Sequence, residues 1–173
     1  MNTLLFNYFY KYISLLPIVL FLWMGRFGYS WIESFFAGGA LALGYVIYSM
    51  IQRKKIDYLI LSLYLFLIGG ACMIFKIPGL IYFYKTLKQP IIFVWLTIVG
   101  LFTTVLSSSG FIDVQNISRN KVIKGSLLLL GVTVGLFFFA LYVKELSTFL
   151  ATSGACIIFV FVRNMIQNKI GNV

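Results

Sequence analysis

The chain contains no histidine and four acidic residues, Glu33, Asp57, Asp113 and Glu145. Without an imidazole, Ser109-Gly110 has no base to activate a serine nucleophile, and a two-histidine zinc protease site cannot be assembled. The four carboxylates stand singly near the ends of apolar runs. They form no cluster of the kind that metal-assisted phosphoryl or phosphatidyl transfer needs. None lies in the middle of an apolar run, where a proton-coupled carrier places its ionisable group. Cysteine is scarce too. Cys72 and Cys156 both fall inside apolar runs, so neither a disulfide framework nor a Cys/His zinc site is expected, and both read as small apolar core residues. These absences argue against an enzyme and against a bound cofactor or metal. Charge as a whole is sparse, at 10% of residues, against about 25% in a soluble domain.

Long apolar runs fill the space that charge leaves. Hydrophobic residues make up 61% of the 173-residue chain, and the mean hydropathy is +1.00. The clearest run is Trp31–Ile51, with Glu33 near one end and no charge after it. As a helix it measures about 31 Å, close to the hydrocarbon thickness of a bilayer. Arg53-Lys54-Lys55 ends it and, as a topology determinant, assigns that end to the cytoplasm.

The expected fold is all-α: one polytopic membrane domain over residues 1–173, a bundle of six spans. The spans read as about 13–24, 31–51, 56–75, 90–106, 125–143 and 146–162. The first would reach Tyr29 if Arg26 snorkels outward. No small-x-small cleavage site follows it, so it reads as a retained span rather than a signal peptide. Arg26, Lys76, Lys85, Lys88 and Lys144 then lie outside and the other nine of the 14 Lys and Arg inside, which favours cytoplasmic N- and C-termini. The net charge of +10 is spread through short loops. That distribution suits topology and anionic lipid headgroups rather than nucleic acid.

Residues 76–89 interrupt the pattern. Pro78-Gly79 breaks a helix, after which Lys85, Lys88 and Gln89 share one face and Leu80, Tyr84 and Leu87 another. The segment is either a short interfacial helix in the headgroup layer or the early turns of the fourth span. A longest polar loop follows that span, from Ser107-Ser108-Ser109-Gly110 through Asp113, Arg119, Lys121 and Lys124, with the serines as a helix end or cap.

Two sets of residues are candidates for binding. Arg26 and Glu33 stand at the exterior mouth of the first hairpin. They form either an ion pair that pins the turn or, with Lys76, Lys85 and Lys88, a site for an anionic headgroup or glycolipid phosphate in which Glu33 orients Arg26. The second set is the small-residue pairs Ala40/Gly44 and Gly131/Gly135, with flat patches at Gly69-Gly70-Ala71 and Ser153-Gly154-Ala155. Small residues let helices approach closely in lipid, within one chain or between two. The spans also divide three and three, as in an inverted repeat, with similar turns at Lys54-Lys55-Ile56-Asp57 and Lys144-Glu145-Leu146-Ser147.

The layout resembles the intracellular septation protein A family, the YciB-type bacterial inner-membrane proteins. The likeness is carried by Leu16-Pro17-Ile18-Val19-Leu20-Phe21, the turn Arg26-Phe27-Gly28-Tyr29, the Arg53-Lys54-Lys55 run, and Lys85-Thr86-Leu87-Lys88-Gln89-Pro90 before the fourth span. Phe75-Lys76-Ile77 and Leu87 depart from that family's acidic residues and tryptophan at the lysine motif. The resemblance implies a non-enzymatic role in cell-envelope integrity or division, through contacts with other inner-membrane proteins, and no catalytic residues. The alternative is a small lipid or anionic-metabolite transporter that uses Arg26, Lys76, Lys85 and Lys88.

Overall fold

The computed structural model describes residues 13–114, 117–145 and 154–171. Among them are seven α-helices and no strand: α1 (Leu16–Arg26), α2 (Trp31–Ile51), α3 (Tyr58–Ala71), α4 (Pro78–Leu87), α5 (Ile91–Leu106), α6 (Arg119–Val143) and α7 (Ala155–Gly171), with a 3-10 turn at Cys72–Phe75. The chain forms two compact units, Met1–Lys85 and Thr86–Val173.

Three of these helices are long and apolar enough to cross a membrane: Trp31–Ile51, Tyr58–Phe75 and Arg119–Val143. A fourth is added if α4 and α5, bent by 111° at the break between them, count as one span. The protein is thus helical and of membrane type.

Local chemistry sets the helix ends. Pro17 occupies the first turn of α1, where its missing N–H costs nothing. After α1 the Tyr29 N–H donates to the Met24 carbonyl at 3.3 Å across Gly28, whose φ of +84° is open to glycine. The end of α2 has the same form: Lys54 N–H donates to Ser49 O at 2.9 Å and Arg53 N–H to Met50 O at 3.1 Å. There, however, Arg53 takes the left-handed position, with φ of +51°. Asp57 caps α3, accepting from the Leu59 N–H at 2.8 Å.

In the first unit α2 packs on both α1 and α3. Its buried face is Ser34, Phe35, Gly38, Gly39, Ala42 and Ser49, one stripe at helical spacing. A Cβ on Gly39 would lie 2.8 Å from the Ala71 Cβ and 2.9 Å from the Leu67 carbonyl oxygen, so the two backbones nearly touch. The small-residue packing expected at Ala40 and Gly44 is therefore displaced. Both are exposed, because each sits about 100° or more around the helix from the Gly39 line. Gly70 and Ala71 of the expected patch do pack: Gly70 lies against the ring of Phe35. Phe21, Phe35, Phe66 and Tyr84 form the aromatic centre, with ring centroids between 4.6 and 6.0 Å apart. The Tyr84 hydroxyl donates to the Phe66 carbonyl at 2.8 Å, and the Tyr64 hydroxyl to the Ser14 carbonyl.

In the second unit α6 packs on both α5 and α7. Gly131 and Gly135 are exposed, with nothing within 4 Å of a Cβ built on either. The contacts run instead through Leu129, Leu130, Thr133, Leu136 and Ala140. Helix α6 starts at Arg119, so Arg119, Lys121 and Lys124 belong to its first two turns rather than to a long polar loop. The shortened loop is also not wholly polar. Phe111 and Ile112 are fully buried, and their N–H groups donate to the Ser126 Oγ at 2.9 and 3.4 Å. Gln167 Nε2 donates to the Ile112 carbonyl at 2.6 Å. Residues 146–153, where the sixth span was expected to begin and where Ser153 lies, are outside the described residues, and α7 runs on past Arg163 to Gly171.

Candidate functional site

Arg26 and Glu33 flank one turn, but among the described residues they form no ion pair. Glu33 closes a capping box instead: its Oε2 accepts from the Ser30 N–H at 2.8 Å and the Ser30 Oγ at 2.9 Å, while its own N–H donates back to Ser30 Oγ at 3.3 Å. The carboxylate is committed to the start of α2, and Arg26 ends α1 exposed. No described hydrogen bond or ion pair links either residue to Lys76, Lys85 or Lys88. Of the five residues expected to form one site, Glu33 is a helix cap, Arg26 ends α1, and the three lysines lie on and beside α4.

The lysine group is organised by α4. It is a helix of its own, set off from α5 by the break at Lys88 (φ +53°) before Ile91. It has three differently clothed sides. Tyr84 is 5% exposed and, with the half-buried Leu80 and Leu87, faces the protein. Phe83 and Lys85 lie two residues apart, hence on opposite flanks at about 100° per residue. Tyr82, 73% exposed, faces outward between them.

Lys76 and Lys88 bracket this helix, and both hold left-handed backbone, each with φ of +53°. Lys76 follows the 3-10 turn, its N–H donating to the Met73 carbonyl at 3.0 Å. Lys144, by sequence an exterior charge beside a tight turn, has its Nζ donating to the Thr86 carbonyl at 3.1 Å. It therefore meets the C-terminal turn of α4, where a cation offsets the helix dipole. The contact spans 58 residues, and no local sequence pattern points to it.

Three other basic residues meet aromatic rings or backbone carbonyls. Lys54 Nζ lies 5.7 Å from the Tyr48 ring centroid and Lys55 Nζ 5.4 Å from that of Tyr58, so the run after α2 is held against aromatic faces. Arg119 Nη2 donates to Thr104 O at 2.7 Å and Val105 O at 3.1 Å, and its Nη1 donates to the carbonyls of Ser107 and Ser108. One guanidinium thus closes the C-terminal end of α5. Among the described residues no three His, Cys, Asp or Glu side chains gather to hold a metal ion. Cys72 and Cys156 are half-buried free thiols.

Comparison with known proteins adds no relative: no family model, curated protein or solved structure matches the chain.

Proposed function

We infer that the protein works by binding inside the membrane rather than by catalysis. It is read as a six-span inner-membrane protein with both termini cytoplasmic, whose helix faces engage other membrane proteins. The observation that carries this reading is the outward position of the small-residue pairs, Ala40/Gly44 in one unit and Gly131/Gly135 in the other. Such faces let a second helix approach closely in lipid, and neither is used for packing within its own unit. The polar chemistry points the same way. Glu33 and Asp57 cap helices, Arg119 closes one and Lys144 joins another, which leaves these groups occupied with backbone.

The bond from Lys144 to Thr86 also supports the topology, since it brings together two segments that the six-span reading puts on the exterior side. Its resemblance to the septation protein A family would make the partners components of the envelope-synthesis or division machinery.

The test is substitution of Gly131 and Gly135 by Leu, singly and together, with association followed by cysteine cross-linking in native membranes. Open space at both positions predicts a folded protein that has lost its cross-linked species. Unchanged cross-linking in both variants would remove the basis of the binding reading. Loss of export or uptake of an anionic solute on Arg26→Ala, with cross-linking intact, would favour a transporter instead.

A further inference from the structure

We propose that α4 is an interfacial helix and that Lys76, Lys85 and Lys88 hold the phosphates of anionic phospholipids along it. The inference rests on the membrane reading and assigns a ligand to one surface within it. Three observations converge on it.

The first is the three-sided clothing of α4. A helix on the surface of a soluble protein has one apolar stripe, and one buried in protein or lipid is apolar all round. In α4 the protein side is Tyr84, one flank is Phe83, the opposite flank is Lys85, and the exposed Tyr82 lies between them. That order matches a helix lying along the membrane boundary, with an aromatic toward the acyl chains, a lysine toward the headgroups and a tyrosine at the level between. Exposed Phe75 and Ile77 continue the apolar contribution just before the helix.

The second is the pair of lysines at its ends. Left-handed backbone costs an L-residue about 1–2 kcal/mol that glycine avoids, yet Lys occupies it at both 76 and 88. Each end of α4 therefore carries an exposed ammonium side chain where glycine would be the less strained residue.

The third is charge complementarity. Residues 76–90 contain three lysines and no acidic residue, and lysines near a bilayer surface attract anionic lipid by about 1 kcal/mol each. The occupant that fits an apolar flank and a cationic flank together is a phospholipid leaflet.

The experiment uses the full chain reconstituted in vesicles of equal phosphatidylglycerol and phosphatidylcholine, then released for native mass spectrometry. The wild type is expected to retain phosphatidylglycerol preferentially. The triple variant Lys76→Gly, Lys85→Gln, Lys88→Gly is expected to lose that preference by about tenfold or more. Its thermal stability should stay equal or rise, because two strained positions are relieved. A rise, or a fall marking a merely structural role, without the lipid loss overturns the proposal. So does an equal loss in Lys121→Gln, Lys124→Gln, which would mark a diffuse charge effect. Lys85→Gln alone, which leaves the backbone untouched, is expected to show part of the loss. Failure to co-float with pure phosphatidylcholine vesicles would overturn the membrane reading along with this one. Co-flotation without any phosphatidylglycerol preference would overturn this proposal only.

Discussion

Arg119 Nη2 donates to the carbonyl oxygen of Thr104 at 2.7 Å, so the first residue of α6 closes the last turn of α5. The same guanidinium reaches the carbonyls of Val105, Ser107 and Ser108 at and past the end of α5, where Ser107 O also accepts from the Gly110 N–H at 3.2 Å. A planar fork with five donors suits this task, whereas an ammonium offers one point charge. Arg119→Ala is expected to destabilise the second unit by about 1–3 kcal/mol, the usual range for charge-assisted hydrogen bonds. Arg119→Lys should recover part of that, through the dipole alone. Thermal unfolding in detergent micelles checks the order, wild type above Lys above Ala. An Ala variant as stable as the wild type would mean that water serves these carbonyls equally well.

Ser126 is the second point on which that unit depends. It is fully buried, and its Oγ accepts from two consecutive N–H groups, those of Phe111 and Ile112. Ser126→Ala leaves both donors buried without this acceptor, at an expected cost of about 1–3 kcal/mol. In a chain of this size each kcal/mol lowers Tm by roughly 2–4 °C. Amide hydrogen exchange gives the sharper readout: protection at residues 111 and 112 should fall well before protection in the middle of α6. Uniform loss across the unit would assign the effect to general packing.

Much of this was legible in the sequence where one segment carries its own signal. The bounds of α2 coincide with the Trp31–Ile51 run, since the apolar length and the basic stop are both local. The Ser30-x-x-Glu33 spacing is local as well, but in sequence Arg26 competes for the same carboxylate, as an ion pair or within a headgroup site; the cap at close range takes it. What depended on distant residues was not legible. Which small residues of α2 meet α3 is decided by the phase that Phe35 shares with Gly38, Gly39 and Ala42, and Ala40/Gly44 obeys the same spacing rule on another face. The burial of Phe111 and Ile112 follows from an acceptor at Ser126, 15 and 14 residues further on, and polar letters around them disguised it. Left-handed lysines carry no sequence signal, because glycine is the residue such positions advertise.

The glycines of the first unit should separate cleanly from the exposed ones. A Cβ at Gly70 would fall 2.2 Å from the Phe35 Cδ1, and one at Gly39 would strike the backbone of Leu67. The Phe35 ring is confined by Phe21, Phe66 and Tyr84, so it cannot yield without disturbing the aromatic centre. Gly39→Val and Gly70→Val are therefore expected to cost about 1–3 kcal/mol through overpacking. Gly44→Val meets open space and should stay within about 0.5 kcal/mol of the wild type. Equal losses at all three positions, measured by thermal unfolding in the same detergent, would show β-branching rather than contact to be the cause.

Arg53 offers a test that separates stability from topology. Its left-handed backbone costs about 1–2 kcal/mol, partly recovered on replacement by glycine, whose unfolded chain is more disordered by about 0.4–1 kcal/mol. Arg53→Gly should thus stabilise the end of α2 by up to about 1 kcal/mol. It also removes one of the three charges that, in the proposed topology, would assign this end to the cytoplasm. Lys54 and Lys55 remain, each set near an aromatic ring, so the single variant should keep its orientation. Replacing all three with Gly, Gln and Gln should weaken it. Accessibility of a cysteine introduced at Gln52 to a membrane-impermeant reagent reports the orientation, and thermal unfolding the stability. A triple variant with unaltered labelling would transfer the topology signal to the basic residues at the start of α6. A destabilised Arg53→Gly would show that the guanidinium contributes more at this helix end than its backbone strain takes away.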